Sequence, residues 1–205
     1  MAGHSRYNVS SEQAGIKNGV LKNKLGISDQ KQIEDAETIL LSDAYDFFLS
    51  KNRPGLGDFD VKFLFILHKY FLGTLYDWAG NIREVDMSKG GMMFASAKHM
   101  GSSMKYLDKV LKDSLPKNKD TKNTVASKIA LIHNEFNAVH PFRDGNGRTI
   151  RLFIDLLIFS LGYKIINWNS TSKREYINAC ISGAVGKNKP MTDFILKRLK
   201  SNSKK

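Results

Sequence analysis

Cysteine is almost absent from this chain: Cys180 is the only one in 205 residues. One thiol cannot form an internal disulfide framework or a cysteine-rich zinc site. It sits in INACISGAV, an apolar helical pattern, where it reads as a buried structural thiol rather than a nucleophile. Long apolar runs are missing too. Nothing approaches the roughly 18 uninterrupted apolar residues of a membrane span. The longest candidate, residues 152–161, is too short and contains Asp155. The opening stretch MAGHSRYNVSSEQAG lacks the apolar core of a signal peptide, so a cytoplasmic protein without a membrane partner is expected. No GxxxxGK(S/T) run is present, which excludes a P-loop nucleotide site. His133 and His140 lack the HExxH spacing of a zinc protease.

Acidic residues are scarce as well. Lys and Arg number 32 against 20 Asp and Glu, for a formal net charge of +12. A basic balance suits a polyanionic partner: a nucleotide, an acidic protein or a nucleic acid. Much of the charge lies in lysine-rich loops and tails such as LPKNKDTKN and KRLKSNSKK, which read as solvating surface. Zinc-finger spacing and an aromatic-basic RNA-binding signature are both absent, so nucleic acid is not the expected partner.

Hydrophobic periodicity gives a mostly helical single domain. Residues 1–30 form a polar arm with one apolar knot, GVLKNKLGI, expected to make a short helical turn. Amphipathic helices are predicted over residues 29–49, 59–75, 97–115 and 124–139. A helix apolar almost all round, residues 147–161, is predicted to be central and buried. Two more follow at about 172–185 and 191–199. Between the second and third helices, residues 82–95 change character. Gly90 and Gly91 separate IREVDMSK from MMFA, which suits a small β-hairpin.

The densest chemistry lies in HPFRDGNGRTIR, His140 to Arg151, at the entry to the central helix. Small residues just before a helix let backbone N–H groups face a ligand. The helix start adds free amides and the positive end of its dipole, which favour phosphate. Gly145, Asn146 and Gly147 could equally be a plain turn. Arg148 and Arg151 tip the balance, because two guanidinium groups on an otherwise apolar helix require anions. Asp144 is a hard oxygen ligand beside that site, sufficient for Mg²⁺ shared with a polyphosphate. His140 titrates near neutral pH and could take a proton from a hydroxyl nucleophile. Phe142 alternates with polar neighbours and would turn inward to pin the loop.

These residues resemble the Fic domain motif HxFx(D/E)GNGRxxR at every specified position: His140, Phe142, Asp144, Gly145, Asn146, Gly147, Arg148 and Arg151. The likeness extends to residues 59–91, with the WAG turn and hairpin, and to GVLKNKLGI, and covers about residues 20–200. It implies an all-α fold with a small β-hairpin flap, an arm over residues 1–30 and a Fic domain over 31–200. The activity it implies is transfer of AMP from Mg²⁺-ATP to a tyrosine, serine or threonine hydroxyl of a target protein. In that reading His140 is the base, Asp144 holds Mg²⁺, Gly145 to Gly147 form the anion hole, and Arg148 and Arg151 hold the β/γ end. The flap, about residues 83–95, would dock the target, with Lys89, Met93 and Phe94 as its contacts. The Doc branch carries ANK where this chain has Gly145-Asn146-Gly147, which points away from phosphorylation. Transfer of UMP, phosphate or phosphocholine, or a non-catalytic nucleic-acid- or protein-binding module, are the alternatives.

Many members of the family carry an inhibitory (S/T)xxxE(G/N) segment whose glutamate pairs with the second motif arginine. Glu12, Glu34, Glu37, Glu84, Glu135 and Glu175 all fail that pattern; Thr171 precedes Glu175 correctly, but Tyr176 breaks it. Either the chain is unregulated or a separate antitoxin supplies the glutamate to Arg151; the second, a toxin of a toxin–antitoxin pair, is the expectation taken forward.

Overall fold

The computed structural model describes residues 8–9, 15–17, 19–168 and 172–202. Seven α-helices dominate: α1 (Gln30–Asp46), α2 (Val61–Leu72), α3 (Met100–Ser114), α4 (Lys122–Val139), α5 (Asn146–Ser160), α6 (Lys173–Ala184) and α7 (Lys189–Arg198). Their starts follow local side chains. Asp29 caps α1 by accepting from the Gln32 N–H at 2.8 Å, and Asp60 caps α2 by accepting from Phe63 at 2.8 Å. Thr121 and Ser172 do the same for α4 and α6. α1 runs into a π-helical turn, Phe47–Lys51, before Pro54 breaks the chain.

α5 is the centre. Ile150 and every residue from Leu152 to Ile158 are buried, with α2 and α4 packed against the helix. An apolar surface this continuous excludes water only if neighbours cover it on all sides. Phe59, Phe63 and Phe153 meet edge-on or tilted at 5.3–6.1 Å and seal one flank. No described helix is long and apolar enough to cross a membrane.

The hairpin is shorter than its sequence suggested. β4 (Met87–Lys89) pairs antiparallel with β5 (Met92–Met93) through Gly90 and Gly91. Both glycines have positive φ, 58° and 80°, as a two-residue turn of this hand requires. A strand from the arm, β1 (Asn8–Val9), lies along the other edge of β4, with Val9 opposite Met87. The helical turn expected in GVLKNKLGI is not formed. Val20–Leu21 is a strand, β3, paired with β2 (Ile16–Lys17). The apolar knot is instead folded back by the Asn23 side chain, whose Oδ1 accepts from Ile27 N–H at 2.9 Å while Nδ2 donates to Ile27 O at 2.7 Å. Local side-chain bonding of this kind competes with helix. Thr171 lies outside the described residues.

Candidate active site

α4 ends at His140, the only non-glycine residue with positive φ among those described (φ 50°, ψ 60°). Pro141 pushes the preceding residue out of right-handed helical geometry. A left-handed residue completes the turn at a cost on the order of 1 kcal/mol. The loop that follows is tied at both ends. The Asn146 side chain accepts from Phe142 N–H at 2.9 Å and donates to Phe142 O at 2.7 Å. Phe142 is fully buried and stacks on His68 at 3.8 Å with rings nearly parallel. Asn146 is thus turned into the protein, and any contribution it makes to an anion site comes from its main-chain N–H. Gly145 is the N-cap of α5, with φ 78°. A Cβ there would stand 2.7 Å from Leu72 Cδ1, so both the dihedral and the space call for glycine.

His68 holds the loop from below. Its Nδ1 accepts from Gly80 N–H at 2.8 Å, so Nε2 carries the proton and donates to Asp144 O at 3.0 Å. The WAG turn and the loop are therefore joined through one neutral imidazole.

A cavity of about 370 Å³ opens at the start of α5, lined by Lys89, Asp144, Gly145, Gly147, Arg148 and Arg151, with Glu34 and Thr38 of α1 on its far wall. Lys89, expected on the target side of the flap, thus lines the same cavity as the two arginines. Asp144 accepts from Gly145 N–H at 2.6 Å and lies 3.8 Å from Arg148 Nη2. Arg148 Nη1 donates to Glu37 at 2.6 Å, and its guanidinium lies over the Phe71 ring at 4.9 Å. Nη2 of Arg148 is buried and makes no hydrogen bond among the described residues. Such a donor is costly to bury unless an anion meets it. Arg151 is bound through Nε to Gly147 O at 2.9 Å, and no described carboxylate is within ion-pair distance.

The His140 imidazole lies beside the loop. Nδ1 donates to Asn137 O at 3.3 Å, which leaves Nε2 as the lone-pair nitrogen. Phe94 of the hairpin stacks face to face on it at 3.7 Å. Met93 is 68% exposed.

Glu37, Asp155 and His68 are buried polar groups that hold the residues around this cavity, and sequence reasoning missed them. Glu37 is buried and holds both Arg148 and the Tyr76 hydroxyl, at 2.8 Å. Its signal was its place on the apolar stripe of α1, four residues after Ile33. Asp155 accepts from Tyr45 at 2.6 Å, Trp168 at 2.7 Å and Ile166 N–H at 2.9 Å.

Burial pushes His68 and His133 down to about 4 and His140 down to about 3, with Arg83 and Lys89 adding to the effect at His140. Unfolding lets each rise to its ordinary value near 6.5, so below that pH the unfolded chain binds more protons. Stability present at neutral pH is therefore lost as pH falls. Asp155, pushed up to about 6 by burial, works the other way, since its folded form takes up a proton first. Near pH 5 the difference is about two protons, a slope on the order of 2 kcal/mol per pH unit. Urea unfolding at about pH 7 and about pH 5.5 should show the drop. Equal midpoints would mean that these histidines are solvated.

The fold and loop define a class of helical domain that offers an amide-lined, arginine-flanked cavity where its buried helix begins. Within that class the chain carries a Fic/DOC family domain: residues 58–158 match the family's model. It is 32% identical to the protein adenylyltransferase VbhT of Bartonella schoenbuchensis over 182 residues, 88% of this chain but 37% of VbhT. It is 29% identical to y4lH of Sinorhizobium fredii, named a probable protein adenylyltransferase, over 84% of this chain and 87% of that one. BepC of Bartonella tribocorum, solved with bound AMPPNP, superposes with a TM-score of 0.77 at 24% identity over 93% of this chain and 98% of that one. The N-terminal Fic domain of an effector from Bartonella sp. AR 15-3 gives 0.77 at 23% identity over 92% of this chain and 89% of that one. At these identities the two structures establish the fold.

Proposed function

We propose that the protein transfers AMP from ATP to a hydroxyl side chain of a target protein. The observation that carries this reading is one cavity, at the amino end of α5, that gathers Lys89, Arg148 and Arg151 around Asp144, with His140 beside it. The names of the curated relatives support it.

The triphosphate fits that cavity by charge. Main-chain N–H groups at Asn146 and Gly147 and the dipole of α5 would face the α-phosphate, while the Gly145 N–H, expected to join them, is taken by Asp144. Arg148 Nη2 and Arg151 would take the β/γ end. Asp144 is suited to Mg²⁺, which prefers one or two carboxylates plus phosphate oxygens, and the ion would neutralise charge on the leaving pyrophosphate. The acceptor oxygen attacks the α-phosphorus, the bond to the bridging α–β oxygen breaks, and pyrophosphate leaves. The hydroxyl proton passes to His140 Nε2. The depressed basicity of the apo imidazole rises when a polyanion is loaded beside it, because negative charge favours imidazolium. Gly147 leaves no lysine side chain where the kinase branch has one, which favours AMP over phosphoryl transfer.

A lysate incubated with ATP labelled at the α-phosphate should gain protein-bound label, and γ-labelled ATP should give none. The reverse pattern would make the protein a kinase. No label from either would leave a binding module.

The finer reading is a toxin controlled by a separate antitoxin. Two observations favour it: no described carboxylate lies within ion-pair distance of Arg151, and a second cavity of about 480 Å³ lies against Arg148 and Arg151, walled by Leu41, Tyr45, Ile165, Ile166 and Trp168, with Asp155 and Asn167 as its other polar lining. An apolar helix carrying one glutamate suits such a groove. Undiminished transfer after co-expression with the adjacent gene product would count against it.

A further inference from the structure

Arg83 follows the WAG turn, outside every role described so far, and it is 3% exposed. No described carboxylate lies within ion-pair distance of its guanidinium, and Asp86 acts on it only from farther off. Instead Nε donates to His140 O at 2.7 Å and Nη1 to Val85 O at 2.6 Å. Nη2 donates to Val139 O at 3.3 Å and to Ala95 O. The main-chain N–H of Arg83 donates to Pro141 O at 2.8 Å.

The choice of acceptors is informative. Val139 and His140 supply the last carbonyls of α4, the negative pole of that helix. Val85 and Ala95 bracket the hairpin, one on the way in and one on the way out. A buried cation with no direct ion pair is costly unless several dipoles surround it, and here four main-chain carbonyls do. All four stay in reach only while the hairpin base and the helix end keep their relative position. On the other side of the junction Ala95 N–H donates to Ala138 O at 3.0 Å, and the neighbouring Phe94 covers the His140 ring. A lysine ammonium is a point donor and cannot span four carbonyls in a plane; the guanidinium fork can.

We propose that Arg83 is a positioning residue that locks the base of the hairpin to the end of α4. The His140 imidazole and the strand that faces the acceptor are thereby held in one register. The catalytic consequence rests on the AMP-transfer reading; the lock itself rests on geometry alone.

Arg83→Lys in the full chain tests it. Transfer to lysate protein from α-labelled ATP should fall about a hundredfold in kcat, the usual cost of a small misplacement. The KM for ATP, and the Kd for ATP by calorimetry, should stay within about twofold, because Arg83 does not touch the phosphate cavity. In NMR spectra the His140 ring protons, shifted upfield by Phe94 in the parent, should move back downfield. The unaltered chain gives an independent check. Its Ala95 and His140 amides should exchange with the same opening free energy, as one cooperative unit. An unchanged kcat, or a fall in ATP affinity as large as the fall in kcat, would overturn the proposal. So would an Ala95 amide that exchanges orders of magnitude faster than that of His140. If Arg83→Lys does not fold, the exchange comparison on the parent decides. If the parent transfers no AMP, the function reading fails, while the ring shifts and exchange rates still decide the lock.

Discussion

Replacing His140 with asparagine is expected to cut AMP transfer by about 10²–10⁴-fold while ATP affinity changes by less than about threefold. Asparagine is the informative choice because position 140 is left-handed, a conformation it tolerates better than alanine. The backbone then keeps its turn into Pro141, and Arg83 keeps its acceptor on the carbonyl of residue 140. What disappears is the Nε2 lone pair. His140 is not among the residues lining the phosphate cavity, so nucleotide binding has no reason to fall with it. Some stability goes too, since the stack with Phe94 is worth about 1 kcal/mol. Calorimetry with ATP and α-label incorporation, measured on one preparation, separate the effects. Equal losses in both would remove His140 from the role of base.

Glu37→Ala should cost about 3 kcal/mol of stability, the low end for breaking a buried ion pair. The low end is apt because the side chains of Arg148 and Glu37 are 17% and 2% exposed, so the guanidinium keeps some access to water. Two partners are stranded at once: the Arg148 guanidinium at 2.6 Å and the Tyr76 hydroxyl at 2.8 Å. A domain of this size should lose about 6–12 °C in Tm. Glu37→Gln, which can keep both hydrogen bonds without the charge, should lose less. If the alanine and glutamine variants unfold together within about 1 kcal/mol of the parent, Arg148 is held by other means.

The motif was legible because its chemistry is local. Gly145, the arginines three apart and the histidine before proline state their geometry within twelve residues. The helices were legible for the same reason, from apolar spacing and capping side chains. What the sequence hid are contacts across distance. Glu37 reaches Arg148 over 111 positions, Tyr45 reaches Asp155 over 110, His68 reaches the loop over 76, and Arg83 reaches His140 over 57. Glu37, Tyr45 and His68 are polar groups on helices that pack into the core, and Arg83 sits in a loop; such residues announce that they need a partner without saying which. Only the short helical turn of the arm was misread, because Asn23 bonds to its own neighbours and folds the chain back there instead. Lys89 was assigned to the target because its strand belongs to the flap. Only the fold shows that it lines the cavity shared by Arg148 and Arg151.

A crystal of the full chain soaked with Mg²⁺ and a non-hydrolysable ATP analogue tests the central claim most directly. The account predicts phosphate oxygens on the main-chain N–H groups of Asn146 and Gly147, Arg148 Nη2 and Arg151 on the β/γ end, and His140 Nε2 facing an open path to the α-phosphorus. A nucleotide seated away from this loop, or bound with its α-phosphorus out of reach of His140, would contradict it.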